Sequence, residues 1–520
     1  MNFSIMNKTI ITFCSILFLV YGCSKSNLPK PEYHYSINLD KISEDELFVE
    51  LNFSGNLTDT SYFYFPRIVP GIYDALDYGK FINNFEAINN KGQALKVNRI
   101  NTNCWEIIGT KNLDIIKYAV NDGWEKFDFE GIRPYRSSES HFDSSVVILN
   151  ANAVFGYFSY QENLPFKINI KKPENFYGAT SLTKIKSVKN EDIYFAGNYR
   201  ILVDNPIMYS QPDTVTIKLP NILVNVACFS NSKEKIANEL ADYIAPLVKN
   251  QTEYLGGNLA TDKYTFIIYH NQNFENTNYF ADGLEHNQST LVLMYAPMDM
   301  EILKNIIFNL ASHEFFHTQI PLGLHSYEIA NFDFNHPKFS KHLWLYEGMT
   351  EYFTIHMPVK QKLETLEQFI HTIENKISAM KKFDANIAFT ELSKNVMEMP
   401  DEYMNVYYKG PLINLCLDIE LWSLSNGNYG VQNLVSDLIN KYGKDKPFND
   451  DDLFNDIYEI TGYSEIKTFI EKYIEGTYEL PLKDVLQKVG LNLDIETGKI
   501  TEIKPVSEHQ FELRKQWINQ

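Results

Sequence analysis

The hydrophobic period of this chain changes once, near residue 220, and that change decides most of what the chain can fold into. From residue 33 to about 219, apolar residues come in short alternating runs broken by turn residues, as in residues 47–53 before Ser54-Gly55-Asn56. Alternation puts every second side chain on one face of an extended strand, so this part predicts half-buried β-strands. Runs at 62–65, 105–108, 115–120, 145–149 and 215–219 continue the pattern, with few helical stretches between them. A mostly antiparallel, sandwich-like β-domain over residues 33–220 follows.

Beyond Phe229 the spacing becomes helical: Ile236, Leu240, Tyr243, Ile244 and Leu247 fall on one face. Two strand-like runs, 264–269 and 289–295, precede a helix beginning near Pro297, and residues 363–491 read almost entirely as helices with short polar links. The spacing therefore predicts an α/β part over 221–360, a helical part over 361–495 and a short tail over 496–520. At 520 residues the chain exceeds the roughly 250–300 residues at which one core stops growing. The expected fold class is multi-domain α+β, with no internal repeat or low-complexity tract.

The formal net charge of −19 opposes binding to phosphate backbones, which excludes nucleic acid as a partner. Tyr 33 and Phe 35 are high counts that fit either aromatic cores or a ring-lined peptide cleft. At the N-terminus Lys8 precedes an apolar run, residues 9–20, and then Tyr21-Gly22-Cys23. The run falls short of the about 20 residues needed to span a bilayer and has the pattern of a secretory signal. Because a cysteine follows Gly22, the segment resembles a bacterial lipoprotein signal: residues 1–22 removed, Cys23 lipidated, residues 23–32 a polar spacer, and the protein held at the bacterial cell envelope facing the periplasm. An ordinary signal with a chance cysteine is the alternative, given the bulky Tyr21. Of the five cysteines, Cys104, Cys228 and Cys416 would remain in the folded body. Their odd number and wide spacing predict neither a disulfide framework nor a cysteine metal site, although one pair could close in an oxidising compartment.

The sharpest local signal is His313-Glu314-Phe315-Phe316-His317, an H-E-x-x-H motif. Residues 301–317 place Ile302, Ile306, Leu310, His313 and His317 at helical spacing, so both imidazoles leave one helix a turn apart and can reach one metal ion. A catalytic zinc takes three protein ligands and keeps one open position. The third ligand is assigned to Glu347, thirty positions after His317, in an apolar helical stretch where a surface carboxylate is out of place. Glu351, one turn later, is placed to accept a hydrogen bond from the free ring nitrogen of a ligand histidine; a surface carboxylate is the competing reading.

These residues give the chain its resemblance to the glycyl aminopeptidase family of zinc metallopeptidases, gluzincins related to aminopeptidase N. That family reads His-Glu-Phe-Phe-His-Thr and, at the same interval, a segment like Leu343-Trp344-Leu345-Tyr346-Glu347-Gly348-Met349-Thr350. Three further matches carry it: Gly283-Leu284-Glu285-His286, Tyr407-Tyr408-Lys409-Gly410, and Pro70-Gly71-Ile72-Tyr73. The likeness runs from about Leu47 to Leu493. It departs at Asp282, where the family has glycine, and at Gln319, where it usually has tryptophan, and the basic stretch that commonly follows is missing over 319–329. Those changes bear on substrate preference. The family's frequent C-terminal PDZ domain would not be complete in residues 494–520.

The resemblance implies a thermolysin-like α/β catalytic domain and a zinc-dependent aminopeptidase that removes N-terminal residues, such as glycine or alanine, from peptides. It implies one Zn2+ per chain on His313, His317 and Glu347, with Glu314 as general base. It also implies that Glu285, with Gly283 beside it, binds the substrate's free α-amine and that Tyr407 stabilises the oxyanion; a core tyrosine is the other reading of Tyr407. A zinc endopeptidase and a non-catalytic peptide-binding envelope lipoprotein stay open on the residues alone.

Overall fold

The computed structural model of the chain describes residues 31–42, 45–124, 135–257, 259–273 and 280–519. The expected signal peptide 1–22, the lipidation site Cys23 and the spacer up to residue 30 lie outside the described residues.

The N-terminal part is β-rich. A seven-stranded sheet runs in the order Thr183–Val188, Glu191–Ala196, Phe166–Lys171, Glu32–Asn38, Glu46–Ser54, Leu113–Asn121, Ile82–Asn89. It is antiparallel except where Glu32–Asn38 runs parallel to Phe166–Lys171. A four-stranded sheet, Tyr157–Phe158, Thr60–Tyr64, Cys104–Ile108 and Lys96–Asn101, covers one face, and Tyr33, Tyr35, Val49, Leu51, Phe63, Trp105 and Ile168 fill the space between them. Alternation is what builds this layer: Leu47, Val49 and Leu51 point inward while Phe48, Glu50 and Asn52 point out. Much of the aromatic content is spent here. Tyr33 stacks on Phe166 with ring centroids 4.1 Å apart, and its hydroxyl accepts from the Phe158 amide at 2.9 Å.

A third sheet, Tyr177–Ala179, Ile207–Ser210, Val146–Leu149 and His141–Phe142, lies against the sheet of the second part, whose order is Thr214–Lys218, Leu223–Ser230, Lys263–Asn271, Ser289–Tyr295, Phe280–His286. The inner three strands are parallel and both edges antiparallel. Val224, Val226, Phe266, Ile268, Val292 and Met294 face a helical core, and Ala227, Ile267, Leu291 and Leu293 face Val146, Ile148 and Met208 of the third sheet. Covered on both faces, these strands read as near-continuous apolar runs.

Two boundaries differ from the sequence reading. Strand Thr214–Lys218, expected in the β-domain, is the edge of the second sheet, because the turn that brings the Leu219 amide to the Ile222 carbonyl at 3.1 Å folds it back onto Leu223–Ser230. Period-2 alternation marks a strand and is silent about which sheet receives it. Residues 496–520, expected as a short tail, instead pair Ile500–Glu502 with Leu491–Leu493 and form helix Glu508–Ile518. That helix buries only Leu513, Arg514, Trp517 and Ile518, a pattern too sparse to stand out in the sequence. Cys104, Cys228 and Cys416 are buried and unpaired. No helix among the described residues is long and apolar enough to cross a membrane.

Trp517 plugs the helical core. Its indole donates to the Tyr352 hydroxyl at 3.0 Å, Tyr352 donates to Asp418 at 2.6 Å, and His356 donates to the Trp517 carbonyl at 3.2 Å. Trp517→Ala should cost about 3–5 kcal/mol, the range for emptying a large aromatic site in a core. Urea denaturation followed by circular dichroism measures it, and a midpoint equal to that of the parent would show that the C-terminal helix adds nothing to the core.

Candidate active site and metal centre

The H-E-x-x-H motif sits at the end of a helical run that is not uniform. Asp299 caps its start by accepting from the Glu301 amide at 2.9 Å, Met300–Ile306 is α-helical, Ile307–Ala311 widens into a π-turn, and Ser312–Phe316 returns to α. An uninterrupted helix over 301–317 was the expectation. The π-turn takes up an extra residue, so Ile307 and Ala311 enter the core while Leu310 moves to the cleft wall beside His313. Gln251, fully buried, braces the junction by donating to the Ser312 carbonyl at 2.9 Å.

Glu347 comes from helix Leu343–Lys360, buried on every side but for Glu351, Ile355 and Lys360. This helix crosses Lys409–Leu424 where two glycines meet: a methyl group on Gly348 would lie 2.9 Å from the Gly410 Cα, and one on Gly410 would lie 2.8 Å from the Gly348 Cα. Only paired glycines allow backbones so close. Asn414 ties the crossing by donating to the Trp344 carbonyl at 2.7 Å.

The three proposed ligands converge. His313 Nε2 and His317 Nε2 are 3.1 Å apart, and each is 3.5 Å from Glu347 Oε2. Ligand atoms about 2.0–2.1 Å from a tetrahedral ion are about 3.3–3.4 Å from one another, so the triangle has the edge lengths of such a site. The protonation pattern agrees. His313 Nδ1 donates to Glu351 at 2.9 Å and His317 Nδ1 donates to the Ile320 carbonyl at 2.9 Å. In neutral rings both Nε2 lone pairs would then face each other, a repulsion that a metal ion or a proton between them relieves. Oε2 of Glu347 is also buried without a hydrogen-bond partner among the described residues. These donors fit a divalent metal ion.

Without an ion the surrounding carboxylates favour protonated rings, so the cluster calls for positive charge here whether a proton or a metal ion supplies it. Burial alone would lower the His317 pKa, yet Glu347 and Glu285 raise it to about 9. Burial would raise the Glu347 carboxyl, yet the imidazole of His317 leads the contacts that hold it well below the usual carboxylate range. Glu314, buried beside the ligands, is pushed up to about 8 by desolvation, with the two histidines pulling against it.

The other predicted residues line the same cleft. Edge strand Phe280–His286 brings Gly283 and Glu285; a Cβ on Gly283 would stand 3.2 Å from Glu314 Oε1, so its absence leaves clearance beside that carboxylate. Glu285, Glu314 and His317 offer polar atoms within 4.8 Å of one another. Asp282, on the same strand, turns aside to accept from the Ser137 amide at 2.7 Å. Tyr407, in the turn before helix Lys409–Leu424, puts its ring centroid 5.9 Å from that of His313 and its hydroxyl 2.8 Å from that of Tyr403.

Three contributors escaped sequence reasoning. Lys376, on helix Leu366–Met380, is buried, binds Glu351 Oε1 at 2.6 Å and donates to the Tyr407 carbonyl at 3.0 Å. Tyr403 holds the Tyr407 hydroxyl. Tyr73, from the β-domain, donates to Glu347 Oε1 at 2.9 Å. Only Tyr73 had a signal, its place in Pro70-Gly71-Ile72-Tyr73. Behind the wall made by Gly71 and Glu285 lies a second, largely apolar cavity bordered by Val69, Leu284, Leu322 and Phe339.

Comparison with known proteins follows the same lines. Residues 34–211 match the Peptidase M61 N-terminal domain and residues 307–413 match the M61 glycyl aminopeptidase domain. No curated protein matches the chain. Among solved structures, an aminopeptidase N family protein from Idiomarina loihiensis superposes with a TM-score of 0.76 at 20% identity, covering 89% of this chain and 79% of that one. A mutant M1 zinc metallopeptidase from Deinococcus radiodurans, bound to a Tyr-Ser-Ala substrate, gives 0.52 at 10% identity, covering 87% and 94%. Leukotriene A4 hydrolase from Saccharomyces cerevisiae gives 0.50 at 12%, covering 88% and 70%. At these identities the structural likenesses establish the fold.

The Lys376 contact yields a pH prediction. Burial would raise the Glu351 carboxyl, but the His313 hydrogen bond and the Lys376 charge hold it at about 2. A depressed carboxylate stabilises the folded state above its unfolded pKa, and that stability is lost as pH falls from about 4.5 toward 2. Lys376→Met removes a partner from a buried pair, at a cost of about 3–5 kcal/mol, and raises the Glu351 pKa. Denaturation curves at neutral and acidic pH should show lower stability and an acid transition moved to higher pH; an unmoved acid transition would break the proposed pairing.

Proposed function

The chain belongs to the glycyl aminopeptidase family of metallopeptidases, and on that premise we propose that it is a zinc-dependent aminopeptidase releasing N-terminal residues from peptides, with glycine and alanine the first to test. The observation that carries this reading is the meeting of two Nε2 lone pairs with an otherwise unpartnered carboxylate oxygen, in one cleft with Glu314 and Glu285.

His313, His317 and Glu347 would hold the zinc ion, which when bound supplies a polarised water and a polarised scissile carbonyl. Glu351 and the Ile320 carbonyl fix both rings in the tautomer that presents Nε2. Glu314 does not join the ligand triangle. Its carboxylate takes a proton from the water and returns it to the leaving amine, and a buried carboxyl tuned toward neutrality suits both transfers. The Tyr407 hydroxyl donates to the oxyanion that develops on the substrate carbonyl. Glu285 receives the substrate's ammonium, and the outer edge of strand Phe280–His286 offers backbone groups to an extended peptide. The tripeptide substrate on the Deinococcus enzyme supports peptides as the substrate class.

The proposal also places the protein at the bacterial cell envelope, facing the periplasm and tethered by a lipid on Cys23, on the strength of residues 9–23. Incorporation of labelled palmitate should be lost in Cys23→Ser, and labelling that persists would remove the anchor from Cys23.

Glu314→Gln should keep one zinc per chain by metal analysis while kcat on an alanyl chromogenic substrate falls about 10²–10⁴-fold, the contribution typical of a general base. Acetylating the substrate's α-amine should abolish turnover by the parent enzyme. Equal cleavage of blocked and free peptides would make it an endopeptidase, and a purified parent that takes up no zinc would leave a non-catalytic binding protein.

A further inference from the structure

We infer that the turn at residues 70–73 of the β-domain is a working part of the peptidase site: Tyr73 restricts Glu347 to one metal-facing oxygen, and Gly71 sets the position of Glu285. The inference rests on the reading of the site given above and concerns residues that lie outside the catalytic domain.

The two oxygens of Glu347 have different surroundings. Oε2 faces both imidazoles at 3.5 Å, whereas Oε1 accepts the Tyr73 hydroxyl at 2.9 Å across 274 positions of sequence. A carboxylate with one oxygen already hydrogen-bonded offers the other alone, and a single-oxygen ligand leaves room for the water that the chemistry needs. The Tyr73 ring is itself held, with centroids 6.1 Å from Phe339 and 5.2 Å from Tyr403. Tyr403 binds the Tyr407 hydroxyl, so one aromatic row links the β-domain to both the metal ligand and the oxyanion tyrosine.

Gly71 acts on the other carboxylate. At φ +84 it adopts a left-handed conformation, and a Cβ built there would lie 2.5 Å from Glu285 Oε1 and 2.6 Å from Oε2. The backbone therefore rests directly on the carboxylate and closes the cleft behind it. The turn is closed on itself and anchored at its start: the Ile72 amide donates to the Val69 carbonyl at 3.2 Å, and the Arg67 and Ile68 amides donate to the Phe334 carbonyl at 2.9 and 3.1 Å. Ile68, Val69 and Ile72 are buried. A closed end next to an amine-binding carboxylate is what restricts cleavage to the N-terminal residue, so the β-domain supplies the stop as well as the clamp.

The test separates the two residues. Tyr73→Phe removes one hydroxyl and no packing; it should weaken zinc binding about 10–100-fold in competition with a chromophoric chelator, while the circular dichroism spectrum of the metal-free protein stays that of the parent. Gly71→Ala should leave zinc affinity unchanged and raise KM for a free-amine tripeptide at least tenfold, with kcat less affected, because it displaces Glu285. If the parent binds zinc and Tyr73→Phe binds it equally well, the clamp is overturned although the enzyme stands. Gly71→Ala with parental KM overturns the stop. A parent that binds no zinc sinks the proposed function itself.

Discussion

Crowding four glutamates, Glu285, Glu314, Glu347 and Glu351, around two histidines in one half-enclosed cleft is the constraint from which the rest of this molecule follows. Each carboxylate is desolvated, and each is close enough to the others for repulsion to matter. Such a cluster persists only if positive charge is delivered to it. Lys376 delivers one charge from the side, at Glu351. Two histidines held in a common tautomer deliver a place for more, and a divalent cation between them relieves Glu347 directly and Glu285 and Glu314 at short range. The low pKa of Glu347 and the raised one of Glu314 are two consequences of one field: at the first the contact with both imidazoles outweighs desolvation, and at the second desolvation outweighs the pull of the same histidines.

Holding that geometry needs stiffness where helices and sheets are usually tolerant. The wide turn at Ile307–Ala311 re-aims the motif helix so that His313, His317 and Leu310 share the cleft. The contact between Gly348 and Gly410 brings the helix carrying Glu347 against the helix that follows Tyr407, at a separation no side chain would permit. Both glycines stand close in sequence to residues lining the cleft, Gly348 directly after Glu347 and Gly410 three positions after Tyr407. The spacing between Glu347 and Tyr407 is thus set by backbone contact. Side chains repack; two touching backbones have little freedom to do so.

What the sequence made legible was local. A histidine pair four apart on a helix carries its own geometry, and Glu347 carries it too, because an acidic residue amid Leu343, Trp344, Leu345 and Met349 has no reason to be there unless something inside needs it. The sandwich layer was legible through the alternation of Leu47, Val49 and Leu51. The misses were all non-local or cooperative. Strand Thr214–Lys218 reads the same in either sheet. Helix Glu508–Ile518 presents too few apolar residues for periodicity to register, although Trp517 alone fills a core. A π-turn has no residue signature in Ile307–Ala311. Lys376, an ordinary lysine on an amphipathic helix, becomes a charge partner only when that helix docks beside Glu351.

Tyr73 marks the limit of reading by domains. Its strand-and-turn neighbourhood belongs to the β-domain by pattern and by core, yet its hydroxyl ends on Glu347 beside His313 and His317. The two parts also share an apolar layer between Val146, Ile148 and Met208 on one side and Ile267, Leu291 and Leu293 on the other. Close to the cleft, the Arg67 and Ile68 amides on the Phe334 carbonyl and the approach of Gly71 to Glu285 join the two parts directly. The cleft is therefore built from both parts, with Gly71 and Tyr135 lining it from the first and Gly283, Glu285, Glu314 and Glu347 from the second.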